Sequence, residues 1–213
     1  MTDTIIFDLD GTLLNTLEDL YASVNYSLVQ NGNPPRSKSE IRSFLGNGVR
    51  VLIEKSLPQH VNKEEVERVL NIFRPYYLSH SMDQTCPYPG VMDLLQKLKN
   101  RGIKTAIVSN KPDAAVQELY GILFKDVINL AIGECSDVCR KPSPDMVLKA
   151  LKLLGSDTSS SIYVGDSEVD FSTAQNSGVR FIGVSWGFRD RSFLEDIGVE
   201  VIIDKAEELF CEL

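Results

Sequence analysis

Four short stretches of this 213-residue sequence hold residue types suited to chemistry. Asp8-Leu9-Asp10-Gly11-Thr12 follows an apolar run, Ser109-Asn110-Lys111 ends a second, Lys141-Pro142 precedes a helical pattern, and Gly165-Asp166-Ser167-Glu168-Val169-Asp170 closes a third run. Asp8, Asp166 and Asp170 brought together would repel one another unless a cation sat among them. A hard, oxygen-preferring ion such as Mg²⁺ suits such a set. One carboxylate could then act as a nucleophile and another as a proton carrier. Taken singly, each residue has a plainer reading. Asp8 and Asp10 could be loop-opening acids, Ser109 and Asn110 turn formers, and Lys141 a solvated lysine. Ser167 with Asp170 has the spacing of a helix N-terminal capping box, a role Asp170 could combine with a metal site. What argues for chemistry is their joint placement, because ligands of open α/β sheets bind outside the carboxyl ends of the strands.

The elements that must position them are legible from periodicity. Ile5 to Leu9, Lys104 to Ser109, Val127 to Ile132, Ile162 to Val164 and Phe181 to Ser185 are near-continuously apolar and rich in β-branched residues, as buried parallel strands are, with a weaker run at Val199 to Ile203. Helical patterns alternate with them. One has Ser143 as N-cap, Pro144 at N1, apolar Val147, Leu151 and Leu154, and Gly155 past its end; others run from Pro89 to Leu98 closing at Gly102, and from Ser167 closing at Gly178. The alternation predicts an α/β fold: a doubly wound, mostly parallel, Rossmann-like sheet. Residues 16–82 break the rhythm with helical patterns only: Leu17, Leu20, Val24 and Leu28, then Ser37 with Glu40 as a capping box, then Val66, Val69, Leu70 and Phe73. They read as an inserted all-helical cap domain, with 1–15 and 83–213 forming the core and two short crossings serving as a hinge.

Composition narrows the function classes. With 43% apolar and 24% charged residues the chain matches globular proteins. A net charge of −8 opposes binding to nucleic acid or anionic membranes, so an anionic ligand must be captured locally. The N-terminal residues offer no basic leader or membrane-length apolar segment, and a cytoplasmic location is expected. Cys86, Cys135, Cys139 and Cys211 are irregularly spaced, and the Cys135–Cys139 pair lacks nearby histidines, which argues for plain thiols. His60 and His80 lie in polar stretches, which gives little support to a histidine-based triad.

Phe7 to Leu13, Ser109, Lys141 and the Asp166 to Asp170 stretch resemble, in order, the four motifs of the haloacid dehalogenase superfamily, and the helical insert lies where that superfamily carries its cap. Gly46-Asn47-Gly48, Tyr88-Pro89-Gly90 and Gly183-Val184-Ser185-Trp186-Gly187 are further similar to its phosphoglycolate phosphatases. One departure is Asn15, where many relatives carry an acid. The resemblance implies that Mg²⁺ is held by the Asp8 carboxylate, the Asp10 main-chain carbonyl and Asp166, with Asp170 supporting. It implies that Ser109 and Asn110 hydrogen-bond the phosphoryl oxygens and that Lys141 offsets their charge while restraining Asp8. Gly11, with Thr12 beside it, would let the backbone approach the phosphate.

A phosphate monoester is dianionic and resists an anionic nucleophile, so charge neutralisation and in-line alignment must come from the enzyme. The expected reaction is attack by Asp8 to give an aspartyl phosphate, with Asp10 protonating the leaving oxygen and then activating water. The expected substrate is a small phosphorylated metabolite, 2-phosphoglycolate foremost, and the expected assembly a monomer or homodimer. Its carboxylate requires a cation in the cap. Arg50, in the helix opened by Gly46-Asn47-Gly48, is the first candidate and Arg42 the second. The rival readings are a phosphohexose mutase of the same superfamily and a catalytically idle binding protein. Haloalkanoate dehalogenation is disfavoured, because that branch lacks the acid/base carboxylate that Asp10 supplies.

Overall fold

A computed structural model describes residues 2–59 and 61–213. In chain order its elements are β1 (Thr4–Phe7), β2 (Leu14–Asn15), α1 (Leu17–Gln30), α2 (Lys38–Phe44), α3 (Gly48–Ser56), α4 (Lys63–His80), β3 (Cys86–Pro87), α5 (Val91–Asn100), β4 (Lys104–Pro112), α6 (Asp113–Leu119), β5 (Leu130–Glu134), α7 (Asp145–Leu154), β6 (Ser161–Gly165), α8 (Glu168–Ser177), β7 (Arg180–Val184), α9 (Arg191–Asp196) and β8 (Ile202–Ile203). The chain divides into two compact units, Met1–Leu14 with Pro87–Leu213, and Asn15–Cys86.

The first unit is built on a six-stranded sheet ordered β5-β4-β1-β6-β7-β8, whose neighbours all pair in parallel. β1 and β6 are buried throughout, which is why they read as unbroken apolar runs. On one face Ile6, Ala106, Val108 and Tyr163 pack with Met146, Val147, Ala150 and Leu151 of α7. Phe7 lies level with Ile107 of β4 and Val164 of β6, so the residues that follow these strands emerge together at one rim. β2 and β3 pair as a separate two-stranded sheet.

The second unit is helical. Leu20, Val24 and Leu28 of α1 and Val66, Val69, Leu70 and Phe73 of α4 are buried at the spacing their sequence predicts. The Ser37–Glu40 capping box opens α2 with both of its reciprocal bonds. Buried Asp19 accepts the N–H groups of Gln84 and Thr85, fixing the segment that leaves this unit.

The structure corrects several local expectations. The fifth strand spans Leu130–Glu134 rather than Val127 to Ile132, because Val127 and Ile128 donate to the Phe124 carbonyl and continue a helical turn. α7 starts at Asp145; Ser143 donates its N–H to Arg140 O in a preceding turn, and its hydroxyl bonds the Asp145 side chain instead of capping. α5 begins at Val91 because Gly90 takes a left-handed conformation (φ +80°). The last strand is only Ile202–Ile203. His80 is exposed beside Asp83, and His60 lies outside the described residues. Cys86, Cys135, Cys139 and Cys211 form no disulfide, and no helix of the described residues is long and apolar enough to cross a membrane.

Candidate active site

Asp8, Ser109, Asn110, Lys141, Asp166 and Asp170 are all buried at the carboxyl rim of the sheet. Asp8 follows β1, and its N–H donates to Val164 O, continuing the parallel ladder. The next turn is wound tightly: the Leu9 carbonyl accepts the N–H groups of Thr12, Leu13 and Leu14 at 3.3, 3.0 and 2.9 Å. Gly11 makes this turn at φ +93°, and a Cβ there would lie 2.4 Å from Asp166 Oδ2. A Cβ on Gly187 would lie 2.5 Å from the same oxygen. These two glycines let backbone close around a carboxylate, which then accepts the Phe188 N–H at 2.6 Å and the Thr12 hydroxyl at 3.2 Å. Gly11→Ala is expected to lower kcat/KM more than about tenfold and to destabilise the fold by about 1 kcal/mol or more. Urea denaturation beside steady-state kinetics checks both; wild-type values would show that the turn tolerates a side chain.

Lys141 organises the centre. Its Nζ donates to Asp8 Oδ1 at 2.7 Å, to Asp170 Oδ1 at 2.7 Å and to the Tyr163 hydroxyl at 3.1 Å, which matches the three donors of an ammonium. Tyr163 in turn donates to Asp170 Oδ1 at 3.1 Å. Asp170 Oδ2 accepts the Ser167 hydroxyl and N–H, and the reciprocal bond from Asp170 N completes the capping box of α8. Asp170 is thus at once helix cap and Lys141 partner. Asn110 faces the same lysine: its carboxamide accepts Lys141 N–H at 2.8 Å and donates to Lys141 O at 3.1 Å, clamping the Lys141 main chain. Ser109 Oγ accepts the Lys111 N–H.

Burial first, then the Asp170 charge, pushes the Asp8 carboxyl well above the ordinary carboxylate range, against the pull of Lys141. The same two causes lift Asp166 to about 7, against the Phe188 hydrogen bond. Burial also opposes the charge on Lys141, but Asp170 and Asp8 outweigh it and hold the ammonium well above the usual lysine value. One lysine therefore serves a set of carboxylates that remains short of positive charge. Oxygens of Asp8, Asp166 and Asp170 all lie within 4.8 Å of one another. Such a buried, hard-oxygen set fits a divalent cation of the Mg²⁺ type.

Asp10 is less buried and meets Lys111 at 2.8 Å. Sequence reasoning gave no role to Lys111, Tyr163 or the Gly187-Phe188 amide. Tyr163 could have been flagged as a hydroxyl inside a buried strand, where it must find a partner. The Phe188 contact carries no sequence signal, since it is made by main chain 22 residues away from Asp166. Arg50 sits in α3, within the helical unit, and pairs there with Glu67 at 2.5 Å with 43% of its side chain exposed; Arg42 lies in α2.

Residues 5–184 match the haloacid dehalogenase-like hydrolase family. The phosphoglycolate phosphatase of Cereibacter sphaeroides is 36% identical over 191 residues, 87% of this chain and 86% of that protein. That of Aquifex aeolicus is 33% identical over 86% of this chain and 85% of its own length. A crystal structure from Lactobacillus delbrueckii subsp. bulgaricus, provisionally named a phosphoglycolate phosphatase, superposes with a TM-score of 0.93 at 40% identity, covering 98% of this chain and 97% of that one. On motifs, sheet topology and relatives together, the chain belongs to the haloacid dehalogenase-like hydrolase family and is a phosphoric monoester hydrolase.

Proposed function

We propose that this phosphatase hydrolyses 2-phosphoglycolate by a Mg²⁺-dependent route through an aspartyl phosphate on Asp8. The observation that carries the reading is the Asp8–Lys141–Asp170 arrangement: a buried carboxylate held at 2.7 Å by a lysine that a second carboxylate and a tyrosine lock in place. A nucleophile restrained in this way loses little freedom on attack. The Asp8 and Asp166 carboxylates and the Asp10 main-chain carbonyl would hold Mg²⁺, which supplies charge neutralisation for the dianionic ester, with Asp170 supporting through Lys141 and Ser167. Asp8 forms a bond to phosphorus as the ester P–O bond breaks, and Asp10 gives its proton to the departing oxygen. Asp10, now ionised, takes a proton from the water that attacks phosphorus, releasing phosphate and restoring the Asp8 carboxylate. Ser109 and the N–H of Asn110 donate to the phosphoryl oxygens, while Gly11 and Thr12 allow the backbone to approach them. The competing mutase reading requires return of the phosphoryl group to a bound sugar, whereas the phosphatase reading is supported by the names of the relatives given above.

The substrate choice rests on those relatives and on a cation for the glycolate carboxylate. Arg50 supplies one. Its ion pair with Glu67 is exposed, and pairs of that kind contribute little. Arg50→Ala is expected to lower kcat/KM for 2-phosphoglycolate about tenfold or more while barely changing hydrolysis of a carboxylate-free ester. A turnover screen over small phosphate esters, run with wild type and this variant, tests both points; equal losses on both substrates would make Arg50 a general cap residue.

A further inference from the structure

Lys111 has no part in the chemistry so far, yet it is one of the most deeply placed charges in the molecule. It lies where β4 loses its regular register against β5, between Val108 and Pro112, at the end of a strand buried from Thr105 to Lys111. Such an irregularity re-aims side chains that a regular strand would send to opposite faces. The Lys111 side chain is 3% exposed and that of Asp10 19%, and Nζ meets Asp10 Oδ1 at 2.8 Å. A buried ammonium is costly unless its donors are satisfied, and Asp10 Oδ1 satisfies one of them. The Asp10 backbone is already fixed by the tight turn over Leu9 O, which leaves its side-chain torsions to be set. With Oδ1 tied to Lys111, the planar carboxyl has one direction left for Oδ2.

We propose that Lys111 is a positioning residue for proton transfer, anchoring Asp10 through Oδ1 so that Oδ2 faces the leaving oxygen. This rests on the acid–base role given to Asp10 above. The proton is carried on Oδ2 while Oδ1 accepts from Lys111, and it passes to the leaving oxygen as the ester P–O bond breaks and the Asp8–phosphorus bond forms; Lys111 exchanges nothing.

The test uses kcat/KM, which reports only the steps up to departure of the leaving group. 2-Phosphoglycolate and ethyl phosphate release alkoxides that need a proton, whereas 4-nitrophenyl phosphate releases an aryloxide that does not. Lys111→Met is expected to lower kcat/KM on the order of 10²-fold for both alkyl esters, the usual scale of general acid catalysis, and less than about threefold for the aryl ester. Lys111→Arg, which keeps the charge, should recover most of the loss. Asp10→Asn should show the same split between alkyl and aryl esters, and the double variant should fall no further than Asp10→Asn alone. Equal loss on all three esters, or independent losses in the double variant, would overturn the proposal. So would a loss confined to 2-phosphoglycolate, which would make Lys111 a reader of the substrate carboxylate. If Asp10→Asn itself showed no alkyl–aryl split, the acid–base role of Asp10 would fall first, and the assignment of Lys111 with it.

Discussion

Asp8→Asn is expected to fold at least as stably as the wild type and to lose essentially all hydrolysis, by about 10³-fold or more, which corresponds to about 4 kcal/mol of barrier. The amide keeps the size of the side chain and an oxygen that can still accept the Lys141 ammonium, so the buried network survives. It removes a negative charge that burial and the neighbouring Asp170 already penalise, and the fold gains by that removal. On the proposed mechanism it also removes the nucleophile and one ligand of the cation. Steady-state rates on 2-phosphoglycolate beside a urea unfolding curve separate the two effects. A variant that kept more than about a tenth of the wild-type rate, a loss of only about 1.4 kcal/mol, would take the nucleophilic role away from Asp8.

Removal of divalent cations should be as severe. In excess chelator activity is expected to vanish, Mg²⁺ to restore it, and Ca²⁺ to inhibit, because the larger ion takes more ligands and disturbs in-line geometry. Without a cation, burial and the mutual repulsion of Asp8, Asp166 and Asp170 push Asp8 and Asp166 towards their protonated forms, and a protonated Asp8 is a poor nucleophile. A measurement independent of turnover is available. A cation that binds only the folded chain stabilises it by mass action, so Mg²⁺ should raise Tm in the wild type and much less in Asp166→Asn. Full activity in chelator, or an unchanged Tm, would contradict the carboxylate site.

The sheet and the rim were legible because buried parallel strands leave unbroken apolar runs and because the residues after them are the ones a ligand meets. Asp8, Ser109 and Asp166 stand at such strand ends, whereas Lys141 precedes a helical pattern and stood out only through the family resemblance. Boundaries were less legible where local and tertiary preferences compete: Val127 and Ile128 have the composition of a strand, yet they complete the turn after Phe124. What the sequence could not show was how side chains choose among partners far along the chain. The Asn110 carboxamide pairs with the Lys141 main chain, 31 residues on, a contact that no spacing reveals. Asp170 is the helix cap that its spacing from Ser167 suggests, and its other oxygen meets Lys141, a partner that the spacing does not reveal. Lys111 appeared as one more polar residue after a strand, and its meaning depends on an ion pair spanning 101 positions.

The central claim is covalent phosphoryl transfer to Asp8, and one trapping experiment meets it directly. Asp10→Asn mixed with 4-nitrophenyl phosphate and Mg²⁺ should pass the first step, whose leaving group needs no proton, and stall at the second, which needs Asp10 as base. After acid quench and proteolysis, the account predicts that the peptide containing Asp8 carries the mass of one phosphoryl group in near-stoichiometric yield, with one equivalent of 4-nitrophenol released in a burst. Continued turnover with no phosphorylated peptide, or a phosphoryl group on a peptide without Asp8, would contradict it.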